Sequence, residues 1–221
     1  MKKFFSLALI TFMFYRCSHK IPLHVNFYDE KKIGVVIIVD SISRFKFGSQ
    51  GKLDKSLSSG AKYKQALKSI GKKINPKPKF LEITKRKLTE KNKPFIIISD
   101  NLNFKTFESY KKSDTINKFK YYTKDVRSLK SKYDIEQLML VKVKYGLSIN
   151  YYSMIETSKG GLTTIDVDII NLNDNTIIYK DLIKVYEIFN GKWNTPPIYK
   201  ELDDNINKSL STAYKYYESK F

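Results

Sequence analysis

Cysteine occurs once, at Cys17, and histidine twice, at His19 and His24. A single thiol excludes an internal disulfide framework and any zinc site built from several thiolates. A Ser-His-Asp or Cys-His unit would have to take its imidazole from His19 or His24, where no packed segment is predicted to hold it to hydrogen-bond accuracy. The same two histidines lack a carboxylate or second thiolate at metal-ligand spacing. Arginine is also scarce, with four against 37 lysines. Phosphate and base recognition lean on the planar arginine fork, so the net charge of +19 does not by itself indicate a nucleic-acid surface. Long apolar runs are missing as well. The run Phe4 to Tyr15 spans about a dozen residues, whereas a membrane-spanning helix needs about 20. No G-x-G-x-x-G occurs, and Gly48-Ser49-Gln50-Gly51-Lys52-Leu53 has neither the spacing of a phosphate loop nor a hydroxyl at Leu53 for magnesium.

What is present suits one globular domain. The chain has 221 residues, of which 42% are apolar and 14% aromatic. The charge is uneven. Residues 1–133 carry 31 basic and 10 acidic side chains, and residues 134–221 carry 10 and 12. A lysine-rich composition of this kind accompanies A/T-rich coding, but codon bias acts along the whole chain and leaves the asymmetry unexplained. A positive region on the folded surface would attract anionic lipid, cell-wall polymer or nucleic acid, more weakly as salt rises.

The N-terminus has the layout of an export leader. Lys2 and Lys3 precede the apolar run, whose length is that of a signal-peptide core. Cys17 follows directly, as at the processing site of bacterial lipoproteins, where the thiol takes a diacylglycerol group and becomes the mature N-terminus. Phe14 at −3 and Arg16 at −1 depart from that pattern, which has a leucine-like and a small residue there. The chain is therefore divided into a leader (1–17), a linker (18–31) and an α/β domain (32–221).

Within the domain, Ile33–Asp40 and Phe95–Ser99 are short β-branched runs of the kind found in strands buried on both faces. A helix is predicted from Gly60 to about Ile74, ended by Asn75-Pro76-Lys77-Pro78. Residues 79–93 fit a short helix or a short strand, Arg44–Gly51 reads as a loop, and Asp114–Lys132 reads as helix. Leu138 through Tyr152, Thr163–Ile170 and Thr176–Tyr186 alternate as a three-stranded antiparallel meander. Gly146 marks a bend or bulge, and Ser158-Lys159-Gly160-Gly161 and Asn171–Asn175 mark turns. A last helix carries Leu202, Ile206, Leu210, Ala213 and Tyr217 on one face. The predicted fold is a single α/β domain: a mixed sheet ending in the meander, with helices packed against it.

Three sets of residues carry candidate chemistry. Asp166 and Asp168 share a strand face, and Asp40 ends the first strand, where α/β proteins place ligand groups; the simpler reading makes all three polar surface. Arg44-Phe45-Lys46-Phe47 and the run Lys118, Lys120, Lys124 with Phe119, Tyr121 and Tyr122 interleave cations and rings. They are read as contacts for an anionic surface, with base stacking, or rings packed inward beneath solvated lysines, as the alternatives. Cys17 is the predicted acylation site.

The segments Lys132-Tyr133-Asp134 before the Leu138 strand, and Ile165 to Tyr179, resemble the helix-strand-hairpin pattern of small Gram-negative envelope lipoproteins. That group includes the curli-secretion lipoprotein CsgG, the penicillin-binding-protein activator LpoB and the N-terminal domain of TolB. In this chain Asn171 and Asn175 replace the Asp and Gly usual in the hairpin turn. The resemblance implies a periplasm-facing binding module and no catalytic residues. The expected function is thus a fatty-acylated, non-catalytic adaptor of the cell envelope. It would be anchored through Cys17, on the periplasmic face of the outer membrane, with an envelope-protein or cell-wall partner and no cofactor or metal. The alternatives are a basic nucleic-acid-binding protein and a hydrolase using Asp40, Asp166 or Asp168.

Overall fold

The computed structural model describes residues 20–29, 31–49, 61–100, 102–110, 120–189, 196 and 199–221. The predicted leader, Cys17 and Lys118 lie outside them. Six strands form one sheet: β1 (Ile33–Val39), β2 (Ser43–Ser49), β3 (Phe95–Ile97), β4 (Gln137–Tyr152), β5 (Ile155–Asn171) and β6 (Ile177–Ile188). The order is β3-β1-β4-β5-β6, and β2 pairs with β4 beyond the end of β1. β1 and β2 run parallel to β4, and β3 parallel to β1, while β4, β5 and β6 form the antiparallel meander. Four helices accompany the sheet among the described residues: α1 (Ala61–Gly71), α2 (Lys77–Glu90), α3 (Leu129–Tyr133) and α4 (Lys200–Glu218). The mixed α/β architecture is the one expected from the sequence.

β4 and β5 are about three times the usual strand length. β4 uses that length to pair with two successive strands on one edge. Between the pairs Val39–Val143 and Ser43–Gly146, three residues of the first chain segment face two of β4. This is a bulge. It depends on Gly146, whose φ is 145° and where a Cβ would lie 2.0 Å from the Ser43 carbonyl oxygen. The bend expected at Gly146 is therefore present. The loop expected at Arg44–Gly51 is not: residues 43–49 are strand β2, because Arg44/Lys46 and Phe45/Phe47 alternate with the period of a strand.

Odd-numbered residues of β4 face the main core. Val35, Met139, Val141, Val167 and Tyr179 pack there with Phe80 and Ile83 of α2 and Ala213 and Tyr217 of α4. Further along β4 the same face packs Leu147, Ile149 and Tyr151 with Tyr63 and Ile70 of α1 and Ile206 of α4. The Thr84 and Tyr217 hydroxyls, both buried, hydrogen-bond at 2.7 Å and join α2 to α4. Residues 79–93, open between helix and strand in the sequence, are mostly helix: Pro78 sits in the first turn, where a missing N–H costs nothing.

The turn predicted at Ser158–Gly161 is instead the interior of β5, and the chain reverses at Ser153-Met154. The two glycines serve close approach rather than reversal. A Cβ on Gly161 would lie 2.4 Å from the Asn205 carbonyl oxygen of α4, and one on Gly160 would lie 2.2 Å from the Glu187 carbonyl oxygen.

The opposite sheet face is covered at one end by the segment preceding β4. Tyr122, Val126, Leu129 and Ile135 pack on Leu138, Leu140 and Ile170. Of the helix expected over Asp114–Lys132, the described residues 120–132 are helical only from Leu129, in α3, which Asp134 ends at φ 51°. Residues 111–119 lie outside the described chain, and residues 120–128 are held open by Asn175. That side chain is fully buried, takes the Val126 N–H at 3.1 Å, and donates to the Tyr122 and Lys124 carbonyls at 2.9 and 3.0 Å. Those backbone groups are the ones a helix would use internally.

At the other end of this face no helix packs among the described residues, yet Ser148 and Leu162 are buried. The sheet curls instead. In a flat sheet β2 and β6, with two strands between them, would stand about 14 Å apart. The Lys184 ammonium of β6 nevertheless lies 4.6 Å from the centre of the Phe47 ring of β2.

Residues 20–28, predicted as a linker, pack on the body. Ile21 exchanges two backbone hydrogen bonds with Lys180 of β6, each 3.0 Å. Phe27 is buried in the main core. Lys20 and Lys220 both pair with Asp181, at 2.9 and 3.1 Å. Burial works against the Asp181 charge, but these two ammonium groups hold its pKa below the usual carboxylate value.

Candidate functional site

The two predicted basic-aromatic clusters lie at opposite ends of the sheet. Arg44 and Lys46 pair in register with Leu147 and Ile149, near the β4–β5 turn. Lys120 and Lys124 flank Tyr121 and Tyr122, which contact Thr176 and Asn175 at the β5–β6 turn. Most of the length of β5 separates the two regions. At the rise of a strand that is about 33 Å. They do not form one patch. Lys124 is also committed, donating to the Phe107 carbonyl at 2.9 Å.

The end carrying Arg44 and Lys46 gathers other features. Of the seven large apolar side chains exposed among the described residues, five belong to it: Phe47, Tyr152, Met154, Ile155 and Ile188. The register adds Lys144, Lys159 and Lys184 to the two predicted cations. Glu156 and Glu187 are the carboxylates in the rows that pair with β2 or lie beside the turn among the described residues, while Asp40 and Asp166 lie just beyond the row of Lys144 and Lys184. Glu156 pairs with Lys159 and Glu187 with Lys208, each at 2.8 Å, and their side chains are only 15% and 18% exposed. Glu156 also accepts a hydrogen bond from the buried Tyr63 hydroxyl, which fixes α1 to the hairpin. Burial first, and this carboxylate second, push the Tyr63 pKa up. The Arg44 guanidinium lies over the Tyr63 ring, and Lys46 over Tyr151.

Asp166 and Asp168 do share a face, but not as a solvated pair. Asp168 is 2% exposed and takes the Lys180 ammonium at 2.5 Å, with Lys142 at 3.9 Å. Lys180 reaches Asp166 at 3.7 Å as well. Burial raises the Asp168 pKa despite Lys180. Burial opposes the Lys180 charge, and the two carboxylates outweigh it and raise that pKa. This is an internally neutralised cluster beneath Tyr122, whose hydroxyl faces Lys142 at 3.3 Å. Asp40 is exposed at the bulge, its N–H bonded to the Val143 carbonyl. Among the described residues no three His, Cys, Asp or Glu side chains are grouped to hold a metal ion.

A groove of about 630 Å³ lies beside α3, lined in part by Phe107, Arg127, Lys130 and Asn173. Its cations already have partners. Asp125 clasps Arg127 through Nε and Nη2, at 2.9 and 2.7 Å, and Lys130 donates to Asn173 Oδ1 at 2.5 Å.

One cation is buried with no carboxylate paired to it among the described residues. Lys93 is 2% exposed, donates to the Asp29 carbonyl at 2.9 Å and lies 4.9 Å from the centre of the Phe27 ring. Burial lowers its pKa to about 8. The folded protein therefore releases a proton that the unfolded chain keeps between about pH 8 and the ordinary lysine value. Stability should rise with pH across that window. Lys93→Met should raise stability at pH 7 by about 1 kcal/mol and flatten this rise; urea titrations at pH 7, 8 and 10 check both.

No protein-family model matches the chain, and neither does any curated protein sequence. Among solved structures it is similar to the lipoprotein GNA1162 from Neisseria meningitidis at 10% identity, covering 82% of this chain and 99% of that one, with a TM-score of 0.33. It is similar to the hypothetical protein CT253 from Chlamydia trachomatis at 8% identity, over 86% and 96% of the two chains, with a TM-score of 0.33. A third is protein XCC0632 from Xanthomonas campestris, at 7% identity over 90% and 91%, with a TM-score of 0.32. At these identities and scores nothing about this chain is read from them.

Proposed function

We propose that the chain is a lipid-anchored module of the bacterial envelope that binds other envelope components and does no chemistry of its own. The observation that carries this reading is the solitary Cys17 placed directly after a leader-like apolar run. The fold supports it in two ways. The chain joins the folded body at Lys20 and Ile21, close behind Cys17 in sequence. So short a tether would hold the body within about 10 Å of the bilayer if the thiol were acylated. The short helix α3, the strand β4, the hairpin and the final helix follow the order that the resemblance to envelope lipoproteins implies. No helix among the described residues is long and apolar enough to cross a membrane, and the anchor in this reading is the lipid alone.

Metabolic labelling with an alkynyl fatty acid tests the proposal. The wild-type protein should label, and Cys17→Ala should lose at least nine-tenths of the signal at equal expression. Equal labelling of both would remove the anchor.

A further inference from the structure

The hairpin end of the sheet combines two properties that seldom coincide on a monomer: clustered exposed apolar tips and a surplus of cations. Scattered exposed apolar residues are ordinary, but contiguous ones mark contact sites. Here Tyr152, Met154 and Ile155 form the tip itself, 71%, 59% and 65% exposed. Ile188 and Phe47 stand on the two edges of the curled sheet beside it, 58% and 38% exposed. Lys46 and the Glu156-paired Lys159 lie in a row near the tip, Arg44 tucks its guanidinium against Tyr63, and Lys144 and Lys184 stand about 26 Å back along the strands, with the Lys184 ammonium brought against Phe47 by the curl; the carboxylates Glu156 and Glu187 are ion-paired and mostly covered.

We propose that this end docks on an anionic lipid surface. Tyrosine, methionine and isoleucine at a narrow tip suit the headgroup level of a bilayer, where an apolar body and a polar edge are both accommodated. Lysines set back from the tip meet phosphates rather than acyl chains, and their long stems allow them to reach back to the interface. The curl of the sheet brings its two edges together here, with Lys184 seated against Phe47. Charge complementarity selects lipid over a second copy of the chain, because two such ends would repel. The contact is separate from the acyl anchor. Ile21 meets the sheet at the row of Lys180 and Leu140, and the tip lies at the far end of β4. Measured along the strand, the two are about 40 Å apart. The inference stands whether or not Cys17 is acylated.

The test uses the full chain carrying Cys17→Ser, so that an added cysteine is the only thiol. An environment-sensitive fluorophore is attached at Met154→Cys, at Ile155→Cys, or at Asn173→Cys on the opposite end. Vesicles of phosphatidylcholine, with and without phosphatidylglycerol, are added. The tip probes should shift to the blue and brighten several-fold on phosphatidylglycerol vesicles, less so as salt rises, while the probe at position 173 keeps its aqueous spectrum. Adding Lys46→Glu and Lys184→Glu together should weaken the tip response roughly tenfold or more. No change at either tip position would overturn the proposal. So would an equal change at position 173, or a tip response that depends on protein concentration without vesicles, which would assign the end to a second copy of the chain.

Discussion

Asn175→Gly should cost about 3 kcal/mol of stability in urea unfolding, although glycine is the residue best suited to this backbone. Asn175 has φ 62°. Glycine adopts that conformation freely. The substitution therefore removes no steric problem and adds none. What it removes is one accepted and two donated hydrogen bonds in a fully buried setting, at about 1 kcal/mol each. Asn175→Ala should cost about 1 kcal/mol more, since alanine in the left-handed region is strained. Asn175→Asp keeps the acceptor for Val126 but turns two donors into acceptors facing carbonyls, and should be at least as damaging as glycine. Equal stability of wild type and Asn175→Gly would show that the turn needs only the backbone angle.

Gly161→Ala should be the most damaging single methyl group on the α4 side of the sheet. The added carbon would lie 2.4 Å from the Asn205 carbonyl oxygen and 2.9 Å from the Ile206 nitrogen, both backbone atoms that no rotamer change can move. Either α4 lifts away or β5 bends, and overpacking of this kind costs about 3 kcal/mol. α4 packs Leu202, Ile206 and Leu210 at this place, so its release exposes much of the core beneath it. Hydrogen exchange should show protection falling first over residues 200–218, with β4 and β5 holding longer. Uniform loss of protection, or none, would contradict that role for the glycine.

Much of the fold is legible in the sequence because local pattern and tertiary role agree. β1 is apolar throughout because a parallel strand between neighbours has no wet face. The last helix shows its buried stripe at helical spacing because one side of it meets the sheet. The departures have physical causes. Gly160-Gly161 has turn composition, but Gly161 answers to α4, a helix distant in sequence, and Gly160 to the neighbouring strand. The real reversal, at Ser153-Met154, carries no Gly, Pro or Asn to announce it. The alternation in Arg44-Phe45-Lys46-Phe47 is that of a strand, and its charges and rings mask the period. By composition Asn175 is a tolerant substitute for glycine; in the fold its side chain is the clasp for residues 120–126.

The candidate site is legible only in part. Arg44 and Lys46 stand out by their neighbours in sequence. Lys144, Lys159 and Lys184 join them only through strand register, and Lys120 and Lys124 leave the group for the same reason. In sequence Asp168 belongs to the wet side of an amphipathic strand; its burial depends on Lys180, which reaches it from the neighbouring strand.

Intact-mass and peptide mass spectrometry of the protein isolated from its own host decides whether the leader is an address or part of the mature chain. The expected mature chain begins at Cys17, with Met1–Arg16 absent and the cysteine heavier by a diacylglycerol group. A chain that still begins at Met1, or that carries Cys17 as an unmodified thiol, would contradict a lipid-anchored envelope module.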